Sequence, residues 1–185
     1  MANVLLSAKG IKIRFGGVIA ADGIDLDVIE GENLAIIGPN GAGKTTFLNI
    51  STGYLRPQGG TVTFLGQDIT AQLPRTIVKL GIARAFQIPQ LFLDQTVMEN
   101  MLIAAASRRG YPSGFQALST LPEVPEMERL LDLVGVKSYA ERKARELPEG
   151  QRKLVDIALA LALKPKLLLM DEPTSGVASS EKLGI

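Results

Sequence analysis

The sequence predicts an α/β fold with an antiparallel β region at its front and a helical lobe inserted in the α/β core. Three observations predict it. Residues 3–37 alternate apolar and polar side chains in short stretches; an apolar run at 34–37 enters a Gly-rich turn and then a helix; and a second apolar stretch at 167–170 ends in two adjacent carboxylates.

Taken in order, Ile11, Ile13 and Phe15, then Ile24, Leu26 and Val28, mark antiparallel strands broken by Gly16-Gly17 and by Gly31. The continuous run 34–37 reads as a strand buried on both faces, feeding a helix over 44–50. Strands follow at 61–65 and 83–86, separated by a helix around 73–80. From residue 91 the strand pattern stops. Met127, Leu130, Leu131 and Val134 recur at helix spacing before Gly135, a natural residue to follow a helix end. Residues 110–114, Gly-Tyr-Pro-Ser-Gly, form a turn cluster and an expected exposed loop. A helix from about Gly150 carries Leu154, Ile157, Ala158 and Leu161 on one face, and Lys164-Pro165 ends it before the strand 167–170. The expected organisation is a single domain in three stretches: 1–90 as core and β region, 91–150 as helical lobe, and 151–185 returning to the core.

Composition narrows the chemistry. Of 185 residues, 46% are hydrophobic, enough for a core, and 20 basic residues face 19 acidic ones, so no broad basic field points to nucleic acid. The chain has no cysteine and no histidine, which excludes disulfides, thiolate metal sites and imidazole bases. Catalysis must then run on carboxylates, lysine, hydroxyls and backbone amides. The apolar run 157–163 falls far short of the roughly 20 residues that span a bilayer, and the N-terminus shows no apolar signal core. A protein that stays inside the cell is expected.

Gly38-Pro39-Asn40-Gly41-Ala42-Gly43-Lys44-Thr45 fits the pattern G-x-x-x-x-G-K-[ST] in full, with an apolar run before it and a helix after. Its glycines let successive backbone N–H groups turn inward around phosphate oxygens, and the helix start adds its positive dipole end. Lys44 is expected to reach the β and γ phosphates of ATP, and the Thr45 hydroxyl to ligate Mg²⁺. Gly38, Pro39, Asn40, Gly41, Ala42, Gly43, Lys44, Thr45 and Thr46 are the candidate nucleotide-binding residues. At the other end, Asp171 is the candidate holder of Mg²⁺, and Glu172 the candidate to polarise the attacking water.

Together, the P-loop, the strand ending in Asp171-Glu172 and the intervening Leu147-Pro148-Glu149-Gly150-Gln151 before a helix resemble an ABC ATPase over essentially the whole chain. That resemblance implies a P-loop NTPase core and a dimer, homo- or heteromeric, with two ATP molecules sandwiched between subunits. The family's signature segment usually reads Leu-Ser-Gly-Gly-Gln and binds the γ-phosphate held by the partner's P-loop. Here Leu147, Gly150 and Gln151 match. Pro148 removes the serine hydroxyl and Glu149 adds a negative charge, so contact in trans would rest on Gly150, Gln151 and the helix dipole. Phe15 matches the aromatic that stacks on adenine. Gln87, after Ala83-Arg84-Ala85-Phe86, matches the glutamine that contacts Mg²⁺ and water and links the core to the helical lobe. With Glu172 and Lys44 it completes the expected catalytic set.

Residues 15–21, 82–87 and 96–102 are similar to ATPase subunits of branched-chain (hydrophobic) amino acid importers. The implied partners are integral membrane permease subunits and, indirectly, a solute-binding protein, with the chain peripheral on the inner face of the cell membrane. A non-transport ABC ATPase and a cassette that binds nucleotide without turnover stay open as alternatives. The family continues past the Asp-Glu strand with further core strands and a histidine, and Ala178 stands where its dimer-contact loop has an aspartate. The expectation is a fragment missing its last core strands, with an unpaired sheet edge and poor solubility.

Overall fold

The structure, a computed structural model, describes residues 3–109 and 121–172. The chain divides into two compact units, Met1–Leu80 and Gly81–Ile185. The turn cluster 110–114 and the expected dimer-contact loop after Glu172 lie outside the described residues.

The first unit is built on an antiparallel sheet in the order β2-β1-β3-β4, with β1 Val4–Phe15, β2 Val18–Ile29, β3 Gly59–Phe64 and β4 Gln67–Asp68. β1 and β2 form the expected hairpin, Phe15 pairing with Val18 across Gly16-Gly17, a two-residue connection of the kind glycine permits. Within β1 the buried positions change parity. Leu6 and Ala8 face inward, then Ile11 and Ile13 do, because the register shifts between Ala8 and Ile11 on the β2 side and between Lys9 and Lys12 on the β3 side. An extra residue in a strand flips every later side chain to the other face, which is how one strand buries both an even and an odd set. Helix α1, Lys44–Ser51, and helix α2, Pro74–Leu80, complete the unit, with Phe47, Leu48, Ile50 and Ile77 buried.

One expectation fails here. Residues 34–37 form no strand, and Leu34 and Ile36 are exposed while Ile37 is 92% exposed. A strand buried on both faces needs neighbours for its backbone groups, and among the described residues no strand pairs with this run. Apolar content alone cannot supply them.

The second unit holds a two-stranded parallel sheet, β5 Ile82–Ala85 with β6 Leu167–Met170, and three helices, α3 Val97–Arg109, α4 Val124–Leu133 and α5 Glu149–Ala162. The helical lobe is as expected. Its core joins Val97, Met101 and Ala105 of α3, Met127 and Leu131 of α4, and Leu154, Val155 and Ala158 of α5. A second cluster sets Ile157 and Ala160 of α5 against Ala83 and Ala85 of β5. α4 ends as Gly135 foretells. With φ 76° at Gly135, its N–H donates to the Asp132 carbonyl at 3.0 Å and the Val136 N–H to the Leu131 carbonyl at 2.9 Å, a Schellman closure.

α3 opens with a reciprocal cap. The Thr96 N–H donates to the Glu99 carboxylate at 2.7 Å, and the Glu99 N–H to the Thr96 hydroxyl at 3.1 Å. One turn on, Asn100 is 2% exposed. Its amide accepts from the Phe92 N–H at 2.8 Å and donates to the carbonyls of Phe92 at 3.1 Å and Thr96 at 2.8 Å, fixing the segment that leads into α3. Asn100→Ala leaves three backbone groups without that partner and is expected to cost about 1–3 kcal/mol of unfolding free energy in urea titration. Thr96→Ala, which loses only a cap, is expected to cost about 1 kcal/mol in the same assay.

Candidate functional site

In the first unit the glycine-rich turn delivers residues 38–43 to the head of α1. Gly43 caps the helix with φ 86° and ψ 5°, left-handed, and a Cβ built there would collide with the Ala20 carbonyl oxygen of β2. Only glycine satisfies both the dihedral and the approach. The first turn of α1 carries no acidic side chain, so nothing in that turn offsets the positive end of the helix. Lys44 folds back on the loop: its ammonium donates to the Gly38 carbonyl at 2.6 Å and the Pro39 carbonyl at 3.0 Å. Pro39, Asn40, Gly41 and Ala42 stand exposed, with Thr45 exposed and Thr46 half-buried on the first turn. A glycine-rich turn at a helix start, with a lysine folded over it, is an arrangement that suits a polyphosphate. Phe15 ends β1 beside the hairpin turn and is 48% exposed, leaving part of its ring open to a flat partner.

In the second unit β6 delivers the two carboxylates. Asp171 is buried, and its carboxylate accepts from the Arg84 guanidinium at 2.9 Å, both side chains 5% exposed. That guanidinium also lies 5.0 Å from the centre of the Phe86 ring. Arg84 comes from β5, whose parallel register sets it opposite Leu169, two residues before Asp171. Glu172 is exposed and left-handed at φ 50°, an uncommon conformation for a side-chain-bearing residue. Its carboxylate accepts from the Gln87 amide at 3.5 Å, the long limit of a hydrogen bond. The structure thus brings together Gln87 and Glu172, two of the residues expected in the catalytic set.

Gly150 and Gln151 lie in the first turn of α5, Gly150 buried and Gln151 half-buried, with Leu147 packed in the lobe core. Pro148 is the cap residue, with φ −54° and ψ 157°, and supplies no side-chain hydrogen bond; its carbonyl accepts from the Arg152 N–H at 3.0 Å. Glu149 is exposed and occupies the first helical position, where a carboxylate favours the helix but opposes an incoming anion.

Two charged residues escaped the sequence reading. Arg84 and Asp156 each stand alone in an apolar stretch, and that isolation was the available signal. Asp156 of α5 is 5% exposed, and its carboxylate accepts from the Phe86 N–H at 2.6 Å and the Gln90 N–H at 3.2 Å. Burial pushes this carboxyl above the ordinary carboxylate range, against the two backbone donors and the nearby Arg84 charge, which pull it down.

Comparison with known proteins gives the family. The family model for the ABC transporter matches residues 21–175. The high-affinity branched-chain amino acid transport ATP-binding protein LivG of Salmonella typhimurium is 33% identical over 98% of this chain and 74% of its own length. The probable branched-chain amino acid transport ATP-binding protein LivG of Methanocaldococcus jannaschii is 38% identical over 94% of this chain and 70% of its own. Among solved structures, an ATP-binding cassette of an ABC transporter superposes with a TM-score of 0.82 at 36% identity, over 99% of this chain and 74% of that one. The chain therefore spans about three quarters of the length of these relatives. From the cradle geometry, Gly43→Ala is expected to weaken binding of a fluorescent ATP analogue by about tenfold or more, since forcing a side chain into the left-handed region costs about 1–3 kcal/mol before the clash is counted. Far-ultraviolet circular dichroism is expected to stay unchanged.

Proposed function

The chain belongs to the ABC transporter family of ATP-binding subunits, and from that premise we propose that it binds and hydrolyses ATP to drive import of branched-chain or related amino acids through separate membrane subunits. The observation that carries the reading is the phosphate cradle at the head of α1, left-handed at Gly43 and served by Lys44. The choice of substrate rests on the relatives, which are named for branched-chain amino acid transport.

In this reading Phe15 stacks on the adenine, where a base on an aromatic face contributes about 1–3 kcal/mol. Backbone N–H groups of Gly38 and of residues 40–46 surround the phosphates, Pro39 having none to give. Lys44 leaves the Gly38 and Pro39 carbonyls for phosphate oxygens, exchanging two neutral acceptors for charged ones. Glu172 accepts a hydrogen bond from the attacking water and draws its proton, and Gln87, already within reach of Glu172, holds that water by its amide. Thr45 in the first unit, and Gln87 and Asp171 in the second, each offer an oxygen of the kind Mg²⁺ takes, Asp171 once released from Arg84, and the ion, when bound, would neutralise charge on the phosphates. Gly150, Gln151 and the α5 N-terminus face the γ-phosphate of a second ATPase subunit, with Glu149 weakening that contact.

The membrane subunits are read onto the segment after Gln87. Ile88 is 74% exposed and Phe92 60% exposed, with Leu93 beside them, while the Phe92 backbone is clamped by Asn100. Apolar side chains on a fixed backbone offer a partner an anchor at little ordering cost. No helix among the described residues is long and apolar enough to cross a membrane, which fits a subunit that docks on the inner face of one.

The test is a titration with a fluorescent ATP analogue and Mg²⁺, with phosphate release followed in the same samples. Lys44→Ala is expected to abolish both signals. Glu172→Gln is expected to retain binding and lose about 10²- to 10⁴-fold in phosphate release, the usual contribution of a general base. Release that is insensitive to Glu172→Gln would remove that residue from the mechanism, and binding that is insensitive to Lys44→Ala would remove the cradle.

A further inference from the structure

We propose that Asp156 is a positioning residue of the ATPase reaction, its carboxylate holding the backbone of residues 86–90 so that Gln87 presents its amide to Glu172. The proposal rests on the reading above, in which Gln87 and Glu172 handle the attacking water.

The geometry is that of a clasp. One carboxylate oxygen takes the Phe86 N–H at 2.6 Å and the other the Gln90 N–H at 3.2 Å, so a single side chain binds both ends of a five-residue arch. Gln87 is the second residue of the arch and is exposed, with its amide 3.5 Å from the Glu172 carboxylate. Two side-chain contacts also reach the arch: the Arg84 guanidinium lies 5.0 Å from the centre of the Phe86 ring, and the Gln87 amide reaches Glu172. Within it Pro89 has no N–H to give, and the Gln90 amide donates to the Ile88 carbonyl at 3.0 Å. Asp156 is 5% exposed, so water does not compete for its oxygens, and a charged acceptor binds backbone donors roughly twice as strongly as a neutral one.

Burying a carboxylate on the mostly apolar buried side of α5, which also takes in Lys153, is unfavourable for folding. An apolar residue there would pack with Ile157 and Ala160 against β5 at no such cost, but would leave the Phe86 and Gln90 amides without an acceptor. The carboxylate is thus suited to directing the arch. It also ties the arch to α5, whose first turn carries Gly150 and Gln151 about 9 and 7.5 Å away along the axis at about 1.5 Å per residue.

The experiment compares the full chain with Asp156→Asn, Gln87→Ala and the double variant by two readouts. In hydrogen exchange, a peptide covering 86–90 is expected to exchange about tenfold faster or more in Asp156→Asn, with β1 and β3 unchanged. In steady-state hydrolysis, Asp156→Asn is expected to lower kcat by about 10- to 100-fold while KM for ATP stays within about twofold. The double variant is expected to be no slower than Gln87→Ala alone, because the clasp acts through that residue. Effects that multiply in the double variant, unchanged exchange over 86–90, or faster exchange with unaltered kcat would each overturn the proposal. If Asp156→Asn does not fold, Asp156→Glu carries the test. It keeps both acceptor oxygens, and kcat within about threefold of the parent supports the clasp while a hundredfold loss without faster exchange overturns it. Wild-type chain that releases no phosphate would instead defeat the functional reading, and the exchange comparison would still decide whether Asp156 holds the arch.

Discussion

Burial of α5 on two sides is the constraint from which the second unit follows. Leu154, Val155 and Ala158 close the helical lobe with α3 and α4, while Ile157 and Ala160 close against β5. Two cores served by one fourteen-residue helix cannot shift independently. The signature segment at its head, the lobe on one flank and the β5 strand leading to Gln87 on the other therefore share one rigid frame, and the polar contacts of Asp156 add direction to what apolar packing makes stiff.

Electrostatics divide the two carboxylates at the end of β6. Asp171 is buried and engaged by Arg84, whereas its neighbour Glu172 points into solvent from a left-handed residue. Adjacent acids in one strand end would repel if both were buried. Turning the backbone at Glu172 sends the second charge out, where water screens it and Gln87 can reach it. The same separation distinguishes a charge fixed by Arg84 from one that faces solvent.

Much of this was legible in the sequence because it is local. The Gly16-Gly17 hairpin, the Gly-rich turn at the head of α1, the halt at Gly135 and the helix ending at Lys164-Pro165 each depend on a few neighbouring residues whose dihedral demands are readable one at a time. The capping of α3 was readable too, Thr96 standing three residues before Glu99, but the segment drew notice only for its family likeness. What was not legible is non-local. Residues 34–37 look like a buried strand, yet a strand exists only with partners, and pairing cannot be read from the run itself. Arg84 meets Asp171 across 87 positions, and Asp156 meets Phe86 across 70. Helix periodicity registers Asp156 only as a blemish on an apolar face, when it is the residue that reaches out of that face.

The folded-back lysine of the cradle has a thermodynamic meaning beyond its contacts. A lysine side chain carries about 2 kcal/mol of rotamer entropy when free, and Lys44 has already surrendered much of it to the Gly38 and Pro39 carbonyls. An arriving anion thus meets a chain already stiffened and a loop already braced from within, and its association is an exchange of acceptors on a common donor. The expected calorimetric mark is a modest entropy term, with affinity governed by how much better a charged oxygen satisfies the ammonium than an amide oxygen does.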